Sequence, residues 1–200
     1  MLLKKLNFFY INNKISYKSK KRSSNYEKTP LSIAVQNYDI DLVKYFLENL
    51  NVDVNMYSNS NSNQKAKMTP LQLAIMNEDI QMVELLLSQP NIDVNKKSLT
   101  IDESNDNIIT SEKTPLISAI ETQNIEIVKL LISRKDIKIN EVCIFDNTYS
   151  YSEGTALVET ILLGNSDLFN LLLTRNEIDF NCIYKFKKEN DVELQEKSAL

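Results

Sequence analysis

The sequence predicts an all-α solenoid: stacked helix-turn-helix repeats joined by extended connectors that run as β-hairpins or loops. Three observations carry this. The tripeptide Thr-Pro-Leu begins at Thr29, Thr69 and Thr114, softens to Thr155-Ala156-Leu157 and returns as Ser198-Ala199-Leu200, at intervals of 40, 45, 41 and 43 residues. A β-branched or aromatic residue followed by asparagine recurs at Val54-Asn55, Val94-Asn95, Ile139-Asn140 and Phe180-Asn181, and each of these asparagines lies 26 residues after its threonine. A stacked unit cannot gain a residue in its packed part without rotating its apolar face away. A fixed interval inside a variable period therefore marks the helical part, and the variation in length falls in the connectors.

The elements follow from the unit Thr69 to Asn95. Pro70 after Thr69 fixes φ at the first helical position, where the missing N–H would have been unpaired in any case, so a short helix A starts here. Asp79 reads as the N-cap of a second helix B, in which Ile80, Val83, Leu86 and Leu87 form an apolar stripe at helical spacing. Pro90 stops that helix, and Ile92-Asp93-Val94-Asn95 leaves as an extended segment. The connectors that follow are rich in Asn and Ser at Ser58 to Asn63, acidic at Asp102 to Asp106 and tyrosine-bearing at Tyr149 and Tyr151, and they read as surface loops. Ile11-Asn12 matches the second anchor, which makes residues 1–28 the tail of a preceding repeat with a basic connector, or a segment that folds back as a cap. The units are then 29–68, 69–113, 114–154 and 155–197, with 198–200 opening another. Leu85-Leu86-Leu87 and Leu171-Leu172-Leu173 recur at the repeat period and read as core.

Composition excludes much chemistry. The chain has 200 residues, no histidine and only two glycines, Gly154 and Gly164, which form no motif. Phosphate-cradling loops need glycines, and most acid–base and zinc chemistry uses imidazole. No catalytic residue, cofactor site or metal site is expected. The acidic run Asp102, Glu103 and Asp106 lacks the glycine turn and distal Glu of a calcium loop. Cys143 and Cys182 sit at different offsets in their repeats and read as reduced thiols.

Net charge is −4, unevenly placed. Seven of the 23 basic residues precede the first acid, Glu27, leaving 16 against 27 acids and a net −11 over the rest. The run Lys18 to Arg22, with Lys20 and Lys21, reads as an import signal, an anion-binding patch or a solvated loop. The acidic body opposes nucleic-acid binding. No stretch has the length of a membrane span, and a cytoplasmic protein is expected, with nuclear entry through Lys18, Lys20, Lys21 and Arg22 as the alternative.

Turn, Thr-Pro-Leu helix, short turn, Val-x-x-Leu-Leu helix and Asp-Val-Asn together resemble the ankyrin repeat over about four units from Thr29 to Asn181. The family's period is roughly 33 residues, so these connectors resemble its finger hairpins lengthened. Ala34, Ala74 and Ala119 occupy its small helix-A position, where Thr160 departs from it. Leu42-Val43, Met82-Val83, Ile127-Val128 and Leu168-Phe169 open its buried helix-B stripe. The histidine that ties one turn to the next is replaced by Ser32, Gln72, Ile117 and Val158, so that network is absent or different. The glycine between the helices is Tyr38, Glu78 and Gln123, returning only as Gly164, and a residue with a Cβ in the left-handed region costs about 1 kcal/mol. Asp39, Asp79, Asn124 and Asn165 remain as caps for helix B.

The resemblance implies an ankyrin-type solenoid that binds a protein partner of unknown identity, as an adaptor or scaffold, with no small-molecule substrate. The alternative is the targeting part of a larger enzyme, such as a kinase or ubiquitin ligase, whose catalytic domain lies outside these residues. Mapped onto this chain, the exposed positions late in helix A are Gln36 and Asn37, Met76 and Asn77, Glu121 and Thr122, and Leu162 and Leu163. The residues before the threonine anchors are Lys28, Met68, Lys113 and Gly154, and the first three join the candidate partner-binding set. Two adjacent leucines cannot both face the core of so short a helix, so at least one of Leu162 and Leu163 is expected to be exposed, as an apolar anchor or as a cover for the last repeat. Tyr149 and Tyr151 are finger-tip candidates or pack on their own hairpin.

Overall fold

The computed structural model describes residues 15–18, 25–59, 64–102, 109–147, 150–188 and 195–198. Four helix pairs stack along it: α1 (Pro30–Gln36) with α2 (Ile40–Asn49), α3 (Pro70–Met76) with α4 (Ile80–Leu87), α5 (Pro115–Thr122) with α6 (Ile125–Ile132), and α7 (Ala156–Leu162) with α8 (Ser166–Leu172). Each helix A starts where its threonine can cap it. The Thr29, Thr69 and Thr114 hydroxyls accept from the backbone N–H three residues on, at 3.0, 3.3 and 3.3 Å. Gln72 completes a capping box on Thr69. Thr155 makes no such bond and its Oγ1 is buried without a partner, where Ala156 replaces the proline of the other repeats.

Between the helices the chain turns through the left-handed region in all four repeats, at Tyr38 (φ 58°), Glu78 (54°), Gln123 (57°) and Gly164 (65°). Three of these carry a Cβ into a conformation that favours glycine. Helix B is then capped in every repeat: Asp39, Asp79, Asn124 and Asn165 accept from the N–H three residues on, at 3.0, 3.0, 3.3 and 3.1 Å.

The core runs the length of the stack as one cluster. Leu71, Ala74 and Ile75 from helix A meet Met82, Val83 and Leu86 from helix B with no measurable exposure, and Leu116, Ala119, Ile120, Ile127, Val128 and Leu131 repeat the arrangement. Burying a side chain of this size contributes about 1.5–3 kcal/mol each, and each repeat buries its face against the next. Successive A helices pack more closely on one another than successive B helices do; the side of the stack that carries the A helices is its inner side and the side that carries the B helices its outer side.

The connectors correct the all-α expectation. They form antiparallel hairpins: β1 (Ile15–Lys18) with β2 (Asn25–Lys28), β3 (Ser58–Asn59) with β4 (Gln64–Met68), β5 (Ser98–Asp102) with β6 (Ile109–Lys113), β7 (Cys143–Asn147) with β8 (Ser150–Gly154), and β9 (Ile183–Lys188) with β10 (Gln195–Ser198). The last four hairpins join edge to edge into one eight-stranded sheet in the order β10-β9-β8-β7-β6-β5-β4-β3. A lone two-stranded hairpin is marginal in water, and its edges present unpaired N–H and C=O groups. Lateral pairing answers both, as in the register Lys65↔Ile101 and Lys67↔Leu99 between neighbouring fingers.

Hydrogen bonds stitch each repeat to the next. Asn55, Asn95 and Asn140 each donate through Nδ2 to a carbonyl of the following repeat (Asn91, Asp136 and Glu177, at 2.7, 2.7 and 2.6 Å). Their Oδ1 atoms accept from Asp93, Lys138 and Asp179 N–H at 2.8, 2.7 and 3.0 Å. At the histidine position of the resembled family, Ser32 Oγ donates to Ser58 Oγ at 2.9 Å and Gln72 Nε2 to the Lys113 carbonyl at 2.9 Å. The link is therefore different in these two repeats. In the third, where Ile117 is apolar, Thr114 N–H donates to Cys143 Sγ at 3.3 Å. Both cysteines are free and buried, and burial pushes the Cys143 thiol up.

Candidate functional site

The helix-A ends and the finger bases meet along the inner side. In the first and third repeats the lysine that ends the strand one residue before the threonine reaches over helix A to the half-buried side chain at its far end. Lys28 Nζ donates to Gln36 Oε1 at 2.7 Å, and Lys113 Nζ to Glu121 Oε1 at 2.6 Å. Lys113 also stands over the Phe145 ring, 5.4 Å from its centroid. In the second repeat the same two positions hold Met68, packed against the core, and Met76, which is 50% exposed. In the fourth they hold Gly154 and Leu162, the latter 55% exposed.

The remaining candidates divide. Asn37 is exposed at the end of α1. Asn77 donates to the Val35 carbonyl at 3.4 Å, and Thr122 Oγ1 donates to the Ala119 carbonyl at 2.8 Å, so both serve the scaffold. Leu163 is exposed, as is Leu162 beside it. Tyr151 lies in β8, with its side chain outside the described part. Tyr149, Met1 to Asn12, Lys20 to Arg22, Glu103 and Asp106, and Ala199-Leu200 lie outside the described residues altogether.

Reading single positions missed Glu159. Its register within the repeat holds Ile33, Leu73 and Ser118 in the other three units, so comparing the columns exposes it as the one charge there. On α7 it lies three residues before Leu162 and shares a face with it. Its carboxyl is raised above the usual range, first by burial and then by the Glu121 carboxylate, with Lys113 pulling the other way. Also missed were Tyr38 and Ile161, both exposed. Ile161 aligns with Val35, Ile75 and Ile120, which are fully buried by the following repeat.

On the outer side, a solvent-open hollow of about 440 Å³ lies between α6 and the end of α8, lined by Lys129, Ser133, Lys135, Thr174, Arg175 and Glu177 among others. Its strongest cation is committed. Arg175 donates to the Ile132 and Arg134 carbonyls and to both Glu177 oxygens, and Lys129 pairs with Glu126 at 2.8 Å. Among the described residues no three of Cys, Asp and Glu converge as metal ligands, and no helix is long and apolar enough to cross a membrane.

Fold and surface define a class: a repeat solenoid with an open inner side and side chains set out along it by the repeat period. The family model of ankyrin repeats (3 copies) matches residues 4–98 and again residues 97–184, and the chain belongs to the ankyrin repeat family. A search of the curated proteins finds no match. Ankyrin repeats are generally protein–protein interaction modules and typically non-catalytic.

Proposed function

We propose that this array is an adaptor or scaffold that binds a protein partner along its inner side, through the helix-A ends and the finger bases. The observation that carries it is the exposure of Met76 and Leu162 at one register, where the first and third repeats hold Gln36 and Glu121 bonded to the finger-base lysines. Side chains of this kind, held out of water's reach only by a partner, are where interface energy concentrates. Asn37, Gln36, Lys28, Lys113 and Glu121 supply the polar surround. The repeat units are 29–68, 69–113, 114–154 and 155–197, each offering the same two positions with different chemistry.

The test is affinity capture from cells that express the chain, using the intact protein, the double variant Met76→Glu with Leu162→Glu, and an outer-side control, Glu84→Lys with Lys129→Glu. The inner-side variant is expected to lose the captured partner and the control to keep it. Capture unchanged by the inner-side variant contradicts the reading.

A further inference from the structure

We propose that the inner side between the second and fourth repeats takes an extended peptide segment carrying one lysine or arginine between two apolar side chains, with Glu159 receiving the cation. This rests on the protein-binding reading above and narrows it to a partner of stated chemistry.

The argument compares equivalent positions. In the first and third repeats the finger-base lysine is closed onto its own helix, at 2.7 and 2.6 Å. In the second and fourth neither position is charged, and Met76 and Leu162 stand exposed instead. The surface therefore alternates a hydrogen-bonded lysine, neutralised by a carboxylate only in the third repeat, with an apolar side chain. Glu159 breaks that pattern by placing a carboxylate at the junction of the third and fourth repeats. The nearby cation is Lys113, which is committed to Glu121 and lies over Phe145. The fourth repeat's own finger-base cation is replaced by Gly154. One net negative charge is left among Lys113, Glu121 and Glu159, flanked by Met76 on one side and Leu162 on the other.

A half-buried carboxylate whose nearby cation among the described residues is already paired with another carboxylate works against the fold, and departures of this kind collect at functional positions. Charge complementarity asks for a basic side chain in the partner, and the exposed methionine and leucine ask for apolar neighbours. The spacing sets their separation. Two interaxial steps of 8–10 Å place the second and fourth A helices roughly 16–20 Å apart, which an extended chain at about 3.3 Å per residue covers in five or six residues. The basic residue falls nearer the end that meets Leu162, because Glu159 and Leu162 share a face of α7.

The experiment selects a phage-displayed library of random 12-residue peptides on the intact chain, then measures the selected peptides by fluorescence polarisation at pH 7 against four proteins: the parent, Glu159→Gln, Met76→Glu and Leu162→Ser. Thermal melts establish that each variant is folded. The expected result is enrichment of a Lys or Arg lying within a five- or six-residue span between two apolar residues, with binding at least tenfold weaker to Glu159→Gln. Replacing the peptide's basic residue by norleucine is expected to cost the parent the same factor and Glu159→Gln little. Selected peptides without a basic residue, binding to Glu159→Gln within twofold of the parent, or no enrichment at all overturns the inference. If binding falls on Met76→Glu and Leu162→Ser but not on Glu159→Gln, the inner-side binding reading stands and this inference falls. If all three variants bind alike, both fall.

Discussion

Glu159 and the ladder asparagines act on stability in opposite directions. The folded state raises the Glu159 carboxyl above its unfolded value, so between those two values the folded chain binds more protons than the unfolded one, and this group's contribution to stability grows as pH falls through that window. Ionised Glu159 is thus a liability at neutral pH. Glu159→Gln is expected to raise thermal stability at pH 7, by up to about 0.5 kcal/mol once screening by solvent is counted, and to change it little near pH 3, where the carboxyl is protonated in both states. Asp136 and Glu177 behave in the opposite sense. Hydrogen bonds from Arg134 and Arg175 hold them below the usual range, so they lose stabilising interactions as pH falls. Comparing parent with variant isolates Glu159 from that background. A variant less stable than the parent at pH 7 contradicts the assignment.

Asn95 has the contrary role. Its side chain makes two 2.7 Å hydrogen bonds into the third repeat, to the Asp136 carbonyl and from the Lys138 N–H. Asn95→Ala is expected to lower stability by about 1–2 kcal/mol in denaturant titration, and no loss would show that solvent replaces those bonds without penalty. The invariance of this asparagine was legible in the sequence but its role was not, because its partners are backbone groups some 41 residues further on. Glu159 was legible by another route. Its column holds Ile33, Leu73 and Ser118, and a carboxylate in such a column stands out once the repeats are aligned on their threonines.

At the scale of the element, the helices were legible because their punctuation is local. Thr-Pro starts helix A, Asp or Asn caps helix B, and a residue between them turns left-handed. Aligning the repeats located that turn at Tyr38, Glu78, Gln123 and Gly164, and all four have positive φ. The strain there is measurable. Tyr38 is exposed, and Tyr38→Gly is expected to stabilise the protein by roughly 0.5–1 kcal/mol, the gain in φ being partly offset by the glycine's greater freedom when unfolded. A Cβ added at Gly164 would meet no atom within 4 Å, so Gly164→Ala is expected to cost about 1 kcal/mol through backbone strain alone. Opposite shifts in the two melting midpoints check the pair, and shifts of the same sign contradict it. The resemblance implied finger hairpins, but their joining into one sheet was not legible. Its strands are two to six residues long, too short for a period-two pattern to stand out from polar loops, and pairing between fingers depends on a register that only the stacked helices set.

At the scale of the molecule, stacking turns a short sequence pattern into a long surface. Core positions repeat because each unit must fit its neighbours, whereas the finger-base and helix-end positions vary from Lys and Gln to Met and Met, Lys and Glu, and Gly and Leu. That contrast is the physical basis for assigning recognition to the inner side: packing constrains the first set of positions and leaves the second free to match a partner. The most direct measurement is site-specific photo-cross-linking in cells that express the chain, with a photoreactive phenylalanine placed singly at Met76 and Leu162 on the inner side and at Glu84 and Lys129 on the outer side. The account predicts that the two inner positions form an adduct with the same partner protein and the two outer positions do not. Adducts confined to the outer positions, or none at Met76 and Leu162, would contradict it.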